Sequence, residues 1–175
     1  MAIRTIRKEG DEILSKKSKP IKEINDTVIQ LIDDMLETMR SQDGVGIAAP
    51  QVGALKRVVV IEFEEDLYEL INPEIIEAEG DQVCNEACLS APGRCGDIER
   101  PFKIVVQAMN RQGEIVTHEI DDFMASVFCH EIDHLDGIMF LDKAKNIRLI
   151  TEAQMRKRKQ ERKERRRKRL AAKGK

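Results

Sequence analysis

Residues 130–134 of the chain read His130-Glu131-Ile132-Asp133-His134. Two histidines four residues apart lie on one face of a helix, one turn from each other, so both imidazoles can bind a single metal ion. The glutamate between them lies close enough to take a proton from a water molecule that the ion activates. The motif therefore predicts metal-assisted hydrolysis, provided that a third ligand exists and one coordination position stays open.

The motif falls within a predicted helix over residues 122–136. Asp121 or Asp122 is expected to cap this helix, and Gly137 follows its end. Its apolar residues are Phe123, Met124, Val127, Phe128, Ile132 and Leu135. They cover much of the circumference, which indicates a central, buried helix. Buried histidines need partners, because an unpaired polar group in the interior costs roughly 1–3 kcal/mol.

The segments around this helix predict an α+β fold. Apolar spacing predicts a first long helix over residues 26–41, and β-branched residues predict strands over 57–63 and 68–76. Residues 103–109 and 114–120 are expected to pair as a hairpin. Without regular alternation of strands and helices, we expect antiparallel sheets packed around a central metal-binding helix, with a basic C-terminal helix.

The third metal ligand has to come from outside the helix. Cys88 is the attractive candidate, because thiolate binds borderline metals such as Zn2+ and Fe2+ well. A structural site of Cys84, Cys88 and Cys95 is an alternative, although these spacings do not match common zinc modules. Cys129 points about 100° away from His130 around the helix, as expected for a packed thiol. His118 falls on a predicted strand and is expected to be exposed.

Charge divides the chain of 175 residues into two parts. Residues 151–175 contain 13 Lys/Arg and 3 Asp/Glu, which leaves 17 basic and 29 acidic residues in 1–150. We expect a catalytic domain over 1–150 and a basic extension over 151–175 that is helical or partly disordered. The extension lacks aromatic residues, so it favours phosphate contact without base stacking. No apolar run is long enough to cross a membrane and no signal peptide is apparent, so a cytoplasmic protein is expected.

Three separated blocks resemble the signature motifs of bacterial peptide deformylases. The blocks are Gly-Val-Gly-Ile-Ala-Ala-Pro-Gln at 44–51, Glu-Ala-Cys-Leu-Ser at 86–90 and His-Glu-Ile-Asp-His-Leu-Asp-Gly at 130–137. Their order and separation also match, and the resemblance spans roughly residues 3–148. Two positions depart from the family pattern, which usually has Gly at Ala87 and often has Gln at Cys129.

The resemblance implies a metal-dependent amidohydrolase that removes the N-formyl group from the initiator methionine of new polypeptides and releases formate. It implies that Cys88, His130 and His134 hold Fe2+, although Zn2+, Ni2+ or Co2+ could occupy the same ligands. Glu131 would transfer the proton. The side-chain amide of Gln51 and the backbone N–H of Leu89 would then stabilise the oxyanion.

The resemblance also assigns roles in substrate binding. Backbone at Val45, Gly46 and Ala87 would pair with the N-formylmethionyl peptide like an added strand. The implied lining of the methionine pocket is Val45, Phe123, Ser126 and Val127. Glu86 and Arg100 would form a salt bridge that fixes the Cys88 loop, whereas two solvated charges at these positions would be worth little.

Two other functions remain open from the residues alone. A zinc-dependent endopeptidase would share the five-residue motif but usually needs a downstream ligand, for which Asp136 and Asp142 are the chief candidates. A non-enzymatic RNA- or ribosome-binding module would keep the site as a relic. The family resemblance implies that the basic tail docks on the ribosome, on protein or RNA near the exit tunnel, and no membrane contact is expected.

Overall fold

A computed structural model describes residues 2–154, 156, 157, 160 and 164. The α-helices are α1 (Asp26–Ser41), α2 (Asp122–Leu135) and α3 (Phe140–Lys143). The strands are β1 (Gly46–Ala48), β2 (Val58–Phe63), β3 (Asp66–Glu79), β4 (Gln82–Cys88), β5 (Ala91–Arg100), β6 (Lys103–Met109), β7 (Ile115–Asp121) and β8 (Lys145–Leu149). Short 3-10 helices cover Glu12–Ser15 and Ala49–Val52.

The strands form two sheets. Five strands pair in the order β1-β2-β3-β6-β7, and three pair in the order β4-β5-β8. Every pairing within these sheets is antiparallel. This architecture confirms the predicted α+β class with antiparallel sheets.

Helices cover both faces of the five-stranded sheet. Val59 and Ile61 of β2 pack into a cluster with Phe128 of α2, whereas Val58 and Val60 pack into a second cluster with residues of α1. Successive strand residues point to opposite faces, so a strand covered on both sides has to be apolar throughout. This explains why residues 58–61 form an unbroken apolar run. Helix α2 contacts strands of both sheets and lies between the five-stranded sheet and the β4–β5 hairpin.

Most predicted boundaries agree with the structure. Helix α1 covers the predicted residues 26–41, and the side chain of its N-cap residue Asn25 accepts a hydrogen bond from the Val28 N–H at 3.2 Å. Strands β6 and β7 form the predicted hairpin. Strand β3 is longer at both ends than the predicted 68–76.

The structure confirms the position of the predicted N-cap of α2 but not the expected side-chain cap. Asp121 occupies the N-cap position, but its side chain makes no capping hydrogen bond. Asp121, the last residue of β7, is still paired with Lys103 of β6, so the strand leads into the helix without a loop. Asp122 adopts a φ of 51° at this junction. The backbone therefore makes the turn in one residue, and no separate capping segment remains.

The basic extension is described only in part. Residues 152–154, 156, 157, 160 and 164 have helical backbone. The remaining positions of the predicted C-terminal helix, 155, 158, 159, 161–163 and 165–175, lie outside the described residues. Among the described residues, none of the helices has the length and apolar character needed to cross a membrane.

Candidate metal centre and active site

Three side chains from two elements converge on one buried point. Cys88 ends β4, and His130 and His134 lie one turn apart on α2. One potential ligand atom from each lies within 4.8 Å of the others. The Cys88 Sγ lies 3.2 Å from His134 Nε2, and the two imidazole rings meet edge to face. The structure therefore brings the predicted Cys-His-His metal-binding group together.

The other cysteines and the third histidine stand apart from this group. Cys84 and Cys95 lie on neighbouring strands β4 and β5, opposite other residues, and form no part of the three-ligand group. Cys129 is buried, and burial raises the pKa of its thiol to about 11, in agreement with the expected packed thiol. His118 is half-buried rather than exposed, because its ring packs edge-on against Tyr68.

The downstream carboxylates are used elsewhere. Asp136 accepts a hydrogen bond from Arg57 at 2.8 Å, and Asp142 accepts one from the Met139 backbone N–H at 2.8 Å. Neither belongs to the metal-binding group. The ligand arrangement expected of an endopeptidase with a downstream ligand is therefore not the one that the described residues form.

Glu86 holds the hairpin and the helix together. Its carboxylate accepts hydrogen bonds from Arg100 Nε at 2.8 Å and Nη2 at 3.1 Å, from Ser126 Oγ at 2.8 Å, and is 2.8 Å from His130 Nδ1. Burial raises the pKa of Glu86, but hydrogen bonds from His130 and Arg100 outweigh it and lower that pKa to about 2. An ionised Glu86 fixes the proton of His130 on Nδ1, which leaves Nε2 free to bind metal.

The predicted Glu86–Arg100 salt bridge is confirmed and is buried. Glu86 and Arg100 are 7% and 6% exposed, and Arg100 also binds Asp133 of α2 at 2.7 Å. Solvated charges would contribute little, but removing one partner of a buried pair typically costs about 3–5 kcal/mol. The pair therefore fixes the end of β4, and with it Cys88, against α2.

Glu131 faces the same interior space without a partner. Its Oε2 atom is buried and has no hydrogen bond from any described residue. Burial raises the pKa of Glu131 to about 7, against a smaller opposing effect of His130. A carboxyl group with a pKa near neutrality can both accept and return a proton.

Gly46 provides the space that Glu131 occupies. A Cβ atom built at Gly46 would lie 2.6 Å from Glu131 Oε1, closer than real Cβ contacts allow. The backbone of β1 therefore packs directly against the carboxylate. The resemblance implied that backbone at this glycine pairs with the substrate peptide, and the structure adds the requirement that the residue make room for Glu131.

The side chain of Gln51 has a fixed orientation. Its Oε1 accepts the Ala48 N–H at 2.7 Å, so its amide nitrogen points the other way. That nitrogen lies 3.2 Å from Ser90 Oγ and 3.5 Å from Cys88 Sγ. Gln51 is only 1% exposed, and its donor therefore faces the metal-binding group.

The N-terminal segment connects the loops that carry Gln51 and Leu89, a feature that the sequence alone did not predict. Backbone N–H groups of Arg7 and Glu9 donate to the carbonyls of Gln51 at 2.7 Å and Ser90 at 2.8 Å. Between them, Lys8 Nζ donates to the Leu89 carbonyl at 2.8 Å. These alternating contacts hold the two loops at a fixed separation.

The predicted substrate-contacting residues differ in exposure. Val45 and Val127 are partly buried and pack against the same apolar cluster, and Phe123 is 49% exposed with its ring 5.6 Å from that of Phe63. Ala87 is exposed. Ser126 is buried, and its hydroxyl is already bound to Glu86.

The donor set suits a divalent metal ion. Burial lowers the pKa of His134 well below its usual value, so the imidazole is neutral and able to ligate. Burial also lowers the pKa of His130, but Cys88 and Glu86 outweigh it and raise that pKa well above its usual value. These groups therefore favour a protonated His130 in the metal-free site, and a metal ion that bound Nε2 would displace the proton there. One thiolate and two imidazoles are ligands that Fe2+, Zn2+, Ni2+ and Co2+ all accept.

Residues 3–149 match the family model described as polypeptide deformylase. The chain belongs to this family. It is 54% identical over 160 residues to the peptide deformylase of Acetivibrio thermocellus, covering 91% of this chain and 93% of that protein. Deformylases of this family remove the N-formyl group from nascent peptides in a metal-dependent reaction.

Solved deformylase structures have the same fold. The crystal structure from Thermotoga maritima superposes with a TM-score of 0.81 at 39% identity, covering 83% of this chain and 99% of that one. A class I type b deformylase from Acinetobacter baumannii, solved with Met-Ala-Ser bound, gives 0.78 at 33% identity, with 81% and 98% covered.

Replacing Gly46 with alanine is expected to disable the enzyme through Glu131. The added methyl displaces the carboxylate, so if Glu131 transfers the proton, as the family resemblance implies, kcat for deformylation should fall by about 10²–10⁴. The metal content should not change, because no ligand is touched. Formate release and metal analysis on the same preparation measure both quantities.

The alternative role for Gly46, admission of the peptide, gives a different kinetic result. A blocked peptide site would raise KM while leaving kcat near the wild-type value. That outcome for Gly46→Ala would contradict the contact with Glu131 as the reason for this glycine.

Proposed function

We propose that this chain deformylates the initiator methionine of new polypeptides with Cys88, His130 and His134 as metal ligands and Glu131 as the acid-base group. The observation that carries this assignment is the buried, unpartnered carboxylate of Glu131 beside a complete Cys-His-His group. Three protein ligands with one open position are typical of catalytic rather than structural sites.

We assign Fe2+ as the physiological ion, with Zn2+, Ni2+ or Co2+ as replacements on the same ligands. A divalent ion bound there supplies a Lewis acid and lowers the pKa of water toward neutrality. The thiolate of Cys88 supports a soft or borderline metal. Glu86 supports the ligand His130 by fixing which ring nitrogen is available.

Glu131 is the proposed group that transfers the proton of the attacking water. Its carboxylate takes a proton from the attacking water and returns it to the nitrogen of the departing amine as the C–N bond breaks. Burial raises the pKa of Glu131 to about 7 in the metal-free site, and a divalent ion bound nearby would lower it and so favour the carboxylate that accepts the proton. Gly46 and the surrounding apolar packing keep bulk water from this carboxylate.

Gln51 and Leu89 are the proposed oxyanion donors. The carbonyl oxygen of the formyl group gains negative charge as water adds, and donors that are already oriented stabilise it without reorganisation. The Gln51 amide is oriented by its hydrogen bond with Ala48. The contacts of residues 7–9 hold the Leu89 loop in place.

The substrate peptide is proposed to add to the edge of the five-stranded sheet. Strand β1 is at one end of the strand order, so its outer backbone groups can pair with an extended peptide. Val45 and Gly46 would contribute from that edge, and Ala87 from β4 on the opposite side. The deformylase solved with Met-Ala-Ser shows that a relative binds such a peptide.

We assign the methionine side chain to the apolar surface beside this edge. Val45 and Val127 pack there against the cluster that contains Phe128, and Phe123 lies at the exposed rim. Ser126 was expected in the same lining, but the one hydrogen that its hydroxyl can donate is bound to Glu86.

The direct test is formate release from formyl-Met-Ala-Ser by metal-loaded enzyme. Glu131→Gln keeps the shape of the side chain but cannot accept the proton, so activity should fall by about 10²–10⁴ with metal content unchanged. Full activity of this variant would sink the proposed role of Glu131. A wild-type enzyme with its metal bound that released no formate would sink the function itself.

For the extension over 151–175 we propose contact with the ribosome in the cytoplasm, close to where new chains emerge. Its charge of +10, opposite in sign to the −12 of residues 1–150, suits the phosphate backbone of RNA. Residues 1–150 then act as the catalytic domain. In this proposal the active site lies within residues 1–150, and the basic extension binds the ribosome through its charge.

Deleting residues 152–175 should spare hydrolysis of the short peptide and weaken ribosome binding. Binding by the full chain should weaken as salt rises, because neutralised phosphates release counterions, and the truncated chain should show a shallower salt slope. A full-length chain with residues 165–169 changed to glutamine is the matched control for charge. Unchanged ribosome affinity in both variants would refute the proposed contact.

A further inference from the structure

Ser126 has a specific hydrogen-bond role beside the metal-binding group. It is only 3% exposed, and its Oγ donates to Glu86 Oε1 at 2.8 Å. The same Glu86 oxygen accepts from Arg100 Nε at 2.8 Å. The other oxygen of Glu86 is shared by Arg100 Nη2 and His130 Nδ1. Ser126 therefore occupies one of four acceptor sites on a buried carboxylate.

These four contacts come from two directions. Arg100, on β5, binds both Glu86 oxygens and defines the plane of the carboxylate. Ser126 and His130, both on α2 and four residues apart, bind one oxygen each. Residues at this spacing lie on one face of a helix, one turn apart. Helix α2 thus contacts Glu86 through two side chains, and one of them is the imidazole of His130, the proposed metal ligand.

Loss of the contact between Ser126 and Glu86 would alter the contact between Glu86 and His130. Without the Ser126 hydroxyl, Glu86 Oε1 keeps only its bond to Arg100, and the carboxylate can tilt away from the helix. The His130 ring would keep its packing against Phe140 and His134, but the carboxylate beside its Nδ1 would be held less firmly. Outer partners of this kind fix ring orientation and ligand basicity, and their loss commonly lowers metal affinity.

We propose that Ser126 is a positioning residue that acts through Glu86 on the metal ligand His130, rather than a residue that reads the methionine side chain by its hydroxyl. The inference rests on the proposed role of His130 as a metal ligand. It predicts that the hydroxyl controls how firmly the metal is held. The substrate would sense only the volume of the side chain at position 126.

Threonine and valine provide a matched pair at this position. Ser126→Thr keeps the hydroxyl and adds a methyl group. The valine of Ser126→Val has nearly the same shape as threonine but lacks the hydroxyl. The experiment measures the rate at which zinc-loaded enzyme loses its metal to a coloured chelator, together with kcat and KM for formyl-Met-Ala-Ser. Volume changes equally in both variants, so their difference isolates the hydroxyl.

The valine variant should lose zinc about 3–10 times faster than the threonine variant, below the 10–100-fold typical of direct partners of a ligand because Ser126 acts one contact further away. The rate of zinc loss from the threonine variant should stay within about twofold of the wild-type rate. KM should be alike in both variants, and kcat lower with valine. If valine prevents folding, Ser126→Ala compared with the wild type gives the same contrast.

Equal rates of zinc loss in the threonine and valine variants would overturn the proposal, whatever happens to KM. Equal rates for Ser126→Ala and the wild type would overturn it as well. Zinc loss is measured without substrate. A failure of the deformylase function would appear separately, as absence of formate release by the wild type.

Discussion

The buried carboxylate of Glu86 joins the hairpin that carries Cys88 to the helix that carries both histidines. Arg100 neutralises its charge from β5, and His130 and Ser126 bind it from α2. A lone buried carboxylate would be protonated or expelled, so these partners are a condition for its presence. The same contacts orient an imidazole for metal binding. One ionised group therefore determines both how the two elements pack and how the ligand is presented.

The five-stranded sheet sets the second constraint on the site. Helices cover both of its faces, and β1 remains at an edge, with its backbone against Glu131 at Gly46. The edge of the sheet and Glu131, the proposed acid-base group, are consequently adjacent. A peptide that extends the sheet at β1 would pass close to the Glu131 carboxylate, for which Gly46 leaves room.

Local signals in the sequence were sufficient for some elements and insufficient for others. The periodic apolar residues of 26–41 and 122–136, and the β-branched run at 57–63, predicted their elements within a few residues because each buries a continuous face. The hairpin β4–β5 and the strand β8 were not predicted. Strand β5 contains Pro92 and Gly96, and β8 is exposed along its whole length, so neither carries a strong strand pattern.

The candidate site shows the same division. The His-Glu-x-x-His spacing predicted two ligands and Glu131, whereas Cys88 was favoured by the affinity of thiolate for borderline metals and implied by the family resemblance. The remaining features depend on residues distant in sequence. No local pattern indicates that Arg7 and Glu9 tie the loops of Gln51 and Ser90 together, or that the Ser126 hydroxyl is committed to Glu86. Such contacts arise only when the elements pack.

X-ray absorption at the zinc edge of the zinc-loaded enzyme tests the central claim, that Cys88 from the hairpin and both histidines of α2 share one ion. The account predicts one sulfur at about 2.3 Å and two imidazole nitrogens at about 2.0–2.1 Å. Replacing Cys88 with serine should remove the sulfur signal. A spectrum with no sulfur, or with two or more, would contradict the account.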